Sequence, residues 1–94
     1  MRNYELVLVL KSDLSEKVRA DFLAEIKKLV EEAKGKVETE NLWGKKNLVY
    51  PLKREKEGFY VYYALDLPQG KTASLEKKIK MKGEVLRHLL VRKE

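Results

Sequence analysis

Residues 58–67 read GFYVYYALDL, and this stretch decides what the rest of the chain is built around. Phe59, Val61, Tyr63, Leu65 and Leu67 fall on one side, with Tyr60, Tyr62, Ala64 and Asp66 on the other. Aromatic and β-branched residues dominate, and the period is two. That combination predicts a strand with one wholly apolar face.

Working outward, PQGK at 68–71 turns the chain. Thr72 to about Met81 then reads as a short helix, with Leu75 and Ile79 inward and Lys77, Lys78 and Lys80 outward. Gly83 is expected to end it. Glu84 to Arg92 reads as a last strand whose faces are nearly equal in polarity, and the favoured register puts Arg87, Leu89 and Val91 on the open side. On the other flank, KREKE at 53–57 is a solvated hairpin tip, preceded by a second strand from Lys36 to Tyr50. Glu16 to Lys34 places Val18, Phe22, Ile26, Leu29, Val30 and Ala33 along one helical face. Ser15 suits its N-cap, and Gly35 is expected to supply a positive-φ stop. The opening strand, NYELVLVL at 3–10, alternates Tyr4, Leu6, Leu8 and Leu10 against Asn3, Glu5, Val7 and Val9. Its second face is unusually apolar for one that meets only water.

The order is therefore βαββαβ. Two helices can cover one face of a four-stranded antiparallel sheet, and right-handed crossovers favour the α+β, ferredoxin-like arrangement with the first and third strands central. A chain of 94 residues suits a single domain over 1–94 with one core.

Composition narrows the function classes. Residues 1–40 carry eight Lys and Arg against nine Asp and Glu, whereas residues 41–94 carry thirteen against six. The basic excess lies wholly in the second part, which favours a polyanionic partner. The longest apolar stretch, LVLVL at 6–10, is strand-sized, far below the ~18 residues of a membrane span. Fold-like patterning begins at Asn3 and no secretory leader is expected, and cysteine is absent, so disulfides and thiolate metal sites are excluded. No membrane partner, cofactor or metal is expected, and a reducing, cytoplasmic setting is.

Catalysis has little to stand on. His88 is the single histidine and is expected to point toward the helices as a partly buried neutral ring. Ser12, Ser15 and Ser74 sit at caps or in a helix without an elbow motif. The carboxylates interleave with lysines as solvated helix faces do, and no glycine-rich phosphate loop is present.

The second strand contains NLWGKKNLVYPL at 41–52. Charge, a bulge at Gly44 and Pro51 would protect an edge from unwanted pairing. Trp43, Leu48 and Tyr50 are left over by that account, and large apolar groups beside lysines suit a docking surface. WGKKNLVYPL at 43–52 resembles the signature of the bacterial small-subunit ribosomal protein number six family: a Gly, two basic residues, a Leu and a Tyr-Pro-aliphatic triplet in this order. RNYELVLVL at 2–10, GFYVYY at 58–63 and LPQGK at 67–71 sit where that family has them. Lys45 and Lys46 stand where the family commonly has Arg, and Lys lacks Arg's planar fork. The sequence ends at Glu94, where many members continue.

The resemblance implies a non-catalytic ribosome component, monomeric when isolated. It would bind the central domain of small-subunit ribosomal RNA together with small-subunit ribosomal protein number eighteen. The residues expected to meet RNA are Lys45 and Lys46 first, then Arg2, Lys80, Lys82, Arg87 and Arg92. Those expected to meet the partner protein are Val7, Val9, Trp43, Leu48, Tyr50, Tyr60, Tyr62, Leu89 and Val91. One alternative is a single-stranded RNA binder resembling the RNA recognition module, although EGFYVYY departs from that module's consensus at Glu57, Tyr60 and Val61 and puts Phe59 on the core face. Another is an oligomeric ferredoxin-like regulatory domain assembling by edge pairing.

Overall fold

The computed structural model describes residues 2–52 and 55–93, with the side chains of 49–52 and 55 outside that description. Of the hairpin tip expected at 53–57, residues 53–54 lie outside the described residues, as does the side chain of Tyr50, while 55–57 belong to a strand and not to a turn. The elements are β1 (Arg2–Lys11), α1 (Glu16–Glu32), β2 (Lys36–Leu52), β3 (Glu55–Leu67), α2 (Thr72–Lys80) and β4 (Val85–Arg92). They form one antiparallel sheet in the order β2-β3-β1-β4. Strands β1 and β3 are central, as the ferredoxin-like reading requires.

The core forms where the apolar faces of β1 and β3 meet the helices. Leu6, Leu8 and Leu10 lie opposite Tyr63, Val61 and Phe59, and α1 covers them with Phe22, Leu23, Ile26 and Val30. From α2, Leu75 and Ile79 close the other side, with Val85 beneath. The register of β4 is the favoured one: Val91, Leu89 and Arg87 stand beside Glu5, Val7 and Val9. His88 accordingly faces α2, where its Nε2 lies 3.5 Å from Glu76 Oε2.

Three local expectations need correction. Val18 is 46% exposed and Leu23 is buried in its stead, because the buried stripe of α1 begins a turn later than periodicity suggests. Ser15 does cap the helix, its Oγ accepting from Val18 N at 3.2 Å. The left-handed residue after α1 is Lys34, at φ 65°, and Gly35 does not take that conformation. Gly35 is small for a different reason: a Cβ there would lie 2.5 Å from Leu67 Cδ2 and 2.6 Å from the Asp66 carbonyl oxygen. Finally, α2 stops at Lys80, and Gly83 lies in the turn beyond it without a left-handed backbone.

One cross-strand pair on the helix side is polar. The Tyr63 hydroxyl and Glu40 Oε2 are buried beside one another, each without an ideally placed hydrogen-bond partner. Burial first, and then the Glu40 carboxylate, push the Tyr63 phenol far above its ordinary range. The other oxygen of Glu40 holds Lys27 of α1 at 3.1 Å.

Candidate functional site

The face of the sheet away from the helices is the open one, and strand register arranges it in rows. One row runs Asn41, Tyr62, Val7, Leu89, and the next runs Gly44, Tyr60, Val9, Arg87. A third carries Thr39, Ala64, Glu5 and Val91. Residue identity alone makes the middle of this face aromatic and aliphatic.

The interruption in β2 adds to it. The β2–β3 register shifts between Leu42 and Gly44, and Gly44 sits at φ 92°, a backbone that glycine adopts without penalty. The extra residue is Trp43. Its indole lies over the open face, stacked on Tyr62 with ring centroids 5.4 Å apart and planes 10° from parallel. Such a pair is worth about 0.5–1.5 kcal/mol beyond area burial, yet Trp43 remains 47% exposed. The Tyr62 hydroxyl donates to Glu5 Oε2 at 2.6 Å. That hydrogen bond chiefly, with some burial and the Glu5 charge, raises the Tyr62 phenol above its usual range. Tyr62 is thus fixed at its ring by Trp43 and at its tip by Glu5.

Val9 is 5% exposed although no helix covers it. Gly58 explains this, since a Cβ at Gly58 would collide with Val9 Cγ1 and lie 3.4 Å from Leu48 Cδ2. Val9 packs over the bare glycine backbone, and Leu48 borders it. Leu89 at 50% and Val91 at 43% exposure extend the apolar area toward β4.

The ends of the open face carry opposite charge. At the start of β1 stand Glu5, Asp66 and the bulged Glu38. Asp66 hydrogen-bonds and repels Glu38 and so raises its carboxyl above the ordinary value, while Lys36, 3.9 Å away, partly opposes the shift. At the other end stand Lys46 and Arg87. The Lys46 ammonium lies 5.6 Å from the Trp43 ring centroid and 5.9 Å from that of Tyr60, within cation–π range.

The cations expected to meet RNA are not gathered into one patch. Lys46 and Arg87 belong to the open face. Lys45, opposite Phe59, is on the helix side. Arg2 donates to Gln69 Oε1 at 3.3 Å at the far end of the sheet, and Arg92 lies opposite Tyr4 near it. Lys80 is exposed on α2, and Lys82 is held by Glu25 of α1 at 2.8 Å. Of the expected protein-facing residues, Val7, Val9, Trp43, Leu48, Tyr60, Tyr62, Leu89 and Val91 share the open face.

Two participants were not foreseen. Glu5 anchors Tyr62, and alternation could have placed it on that face. Arg19 of α1 lies 4.0 Å above the Phe59 ring. Helical periodicity marks Arg19 only as a solvated position, so nothing local announces the contact.

The model of a known family, ribosomal protein S6, matches residues 3–92. The chain belongs to the ribosomal protein S6 family. Small ribosomal subunit protein bS6 of Clostridioides difficile is 37% identical over 95 residues, covering 97% of this chain and 98% of that protein. The bS6 protein of Caldanaerobacter subterraneus subsp. tengcongensis is 34% identical over 92 residues, covering 98% and 97%. The crystal structure of 30S ribosomal protein S6 from Thermotoga maritima superposes with a TM-score of 0.92 at 25% identity, covering 98% of this chain and 87% of that one. These S6 relatives are structural ribosomal proteins of the small subunit and not enzymes. No helix among the described residues is long and apolar enough to cross a membrane.

Proposed function

We propose that this S6-family chain is a cytoplasmic building block of the small ribosomal subunit. It binds the central domain of the small-subunit ribosomal RNA jointly with ribosomal protein number eighteen, and is monomeric by itself. The observation that carries this reading is the open face, where Trp43 and Tyr62 are stacked and pre-ordered beside exposed Leu89 and Val91. A rigid aromatic pair at the middle of an apolar area is what a protein partner buries most profitably. The same pair disfavours stacking of RNA bases at Tyr62, because Trp43 already occupies a face of its ring. RNA affinity then comes from dispersed cations, which bind weakly until the partner completes the surface.

The test is a titration of a central-domain RNA fragment at two salt concentrations, with and without ribosomal protein number eighteen. Weak binding that tightens sharply with the partner is expected. Tight binding without the partner that is lost in Tyr60→Ala would favour the single-stranded RNA reading. Absence of binding in both conditions would overturn the ribosomal one.

A further inference from the structure

Adjacent Lys45 and Lys46 leave β2 on opposite sides, and their surroundings differ in kind. Lys46 lies above the rings of Trp43 and Tyr60, on the face proposed for the protein partner. Lys45 lies opposite Phe59 on the helix side, at a part of β2 that the helices leave uncovered: Lys45 is exposed and neighbouring Leu42 is 56% exposed. Across Phe59 comes Arg19, its guanidinium carbon 4.0 Å from the ring centroid. Among the described residues neither Lys45 nor Arg19 has an ion-pair partner within 4.0 Å. Glu57, two residues before Phe59 on β3, is an acidic residue whose register puts it on the same side.

We infer that Arg19, Phe59 and Lys45 form an RNA-contacting site on the helix side of the β2–β3 edge, and that the paired lysines serve different partners, Lys45 the RNA backbone and Lys46 the protein face. The inference rests on the proposed function. Arg19 is the stronger member physically. The cation–π contact with Phe59 restrains the guanidinium, so N–H groups not turned to the ring can meet a phosphate with little further ordering. Lys45 adds an exposed point charge alongside. A polyanion fits because two cations that have no ion-pair partner within 4.0 Å among the described residues flank one ring, and neutralising phosphates there releases condensed ions. Lys46 is placed differently: its ammonium lies over the rings of Trp43 and Tyr60 and would be covered together with them.

The experiment measures RNA affinity against salt for the full chain with saturating ribosomal protein number eighteen. Lys45→Ala and Arg19→Ala are each expected to flatten the slope of log affinity against log salt by roughly one. Arg19→Lys retains the charge and the slope but binds several-fold more weakly. Lys46→Ala weakens assembly of the ternary complex and leaves the slope unchanged. Flattening by Lys46→Ala with an unchanged slope in Lys45→Ala would overturn the assignment, as would slopes unchanged in both Lys45→Ala and Arg19→Ala. Melting curves identify any loss that comes from Phe59 losing its cover, and Lys45→Ala, at an exposed strand position, is free of that ambiguity. If the unsubstituted chain binds no RNA even with the partner, the proposed function itself fails. If it binds and the slopes stay put, only this inference does.

Discussion

In β1, alternate residues serve two surfaces with different demands. Leu6, Leu8 and Leu10 are fully buried beneath α1 and α2, whereas Val7 is half-buried and Val9 is covered only by neighbours within its own sheet. The helix side is packed by long side chains from two layers, so its stability comes from burial. The open side is packed laterally, by Trp43 on Tyr62, by Tyr62 on Glu5 and by Val9 over Gly58. Lateral packing orders side chains while leaving their outer surfaces bare. A surface that is rigid and still apolar loses little entropy on docking, which makes this difference functional as well as structural.

A pair of truncations one residue apart separates the two sides of β1 by the largest margin. Leu8→Ala should cost about 2–5 kcal/mol, as cavities in a packed core do. Val7→Ala should cost about 1 kcal/mol or less, as expected away from the core. Denaturant melts of both variants check this. Equal losses would mean that the open face is part of the stabilising core.

Gly58 tests the lateral packing. Gly58→Ala places a methyl group into Val9, a stiff β-branched residue on a central strand, and overpacking of that kind costs about 1–3 kcal/mol. Adding Val9→Ala should recover part of the loss, so the double variant is more stable than the two separate effects predict. Strict additivity would show that Val9 does not rest on Gly58.

Trp43 separates stability from docking. Trp43→Ala should leave the melting temperature within a few degrees, because the indole is about half exposed. It should weaken binding of ribosomal protein number eighteen by about tenfold or more, the usual cost of losing a central aromatic anchor. Calorimetric titration measures the second quantity and thermal melting the first. Unfolding of the variant would move Trp43 from the docking surface to the scaffold.

These contrasts also show what the sequence could disclose. The two faces of β1 and β3 follow from period-two alternation and the helices from three-to-four spacing, both of which are local, whereas β4 has faces nearly equal in polarity and alternation does little to fix its register. The family signature at 43–52 was legible too, since it is contiguous. Trp43 as a docking residue could be read from leftover bulk, but its stacking on Tyr62 depends on where the bulge turns the chain. The first-turn error in α1, with Val18 exposed and Leu23 buried, arises because periodicity gives the angle of a stripe and not where the sheet beneath it begins. Gly35 looked like a helix stop, and only the approach of Leu67 and Asp66 shows its actual constraint. Arg19 over Phe59 joins residues forty positions apart, so no local pattern could signal it.

The smallest expected effect lies at the acidic end of the open face. Glu38 has a folded-state carboxyl pKa raised above the ordinary 4.5 through its hydrogen bond with Asp66 first and then the Asp66 charge. A raised value means that the native state holds the proton more tightly than the unfolded chain does. The favourable contribution is therefore complete below the unfolded pKa and is lost as pH rises through the folded one. At neutral pH the pair is two carboxylates in mutual repulsion, only partly relieved by Lys36. Glu38→Gln keeps a donor for Asp66 and removes the second charge, so it should raise the melting temperature slightly at neutral pH. The advantage should shrink to nothing as pH falls through the carboxylate range, where Glu38 itself becomes protonated. Melting temperatures of the two chains across that range decide the matter, and an advantage that persisted or grew in acid would show that repulsion from Asp66 is not its source.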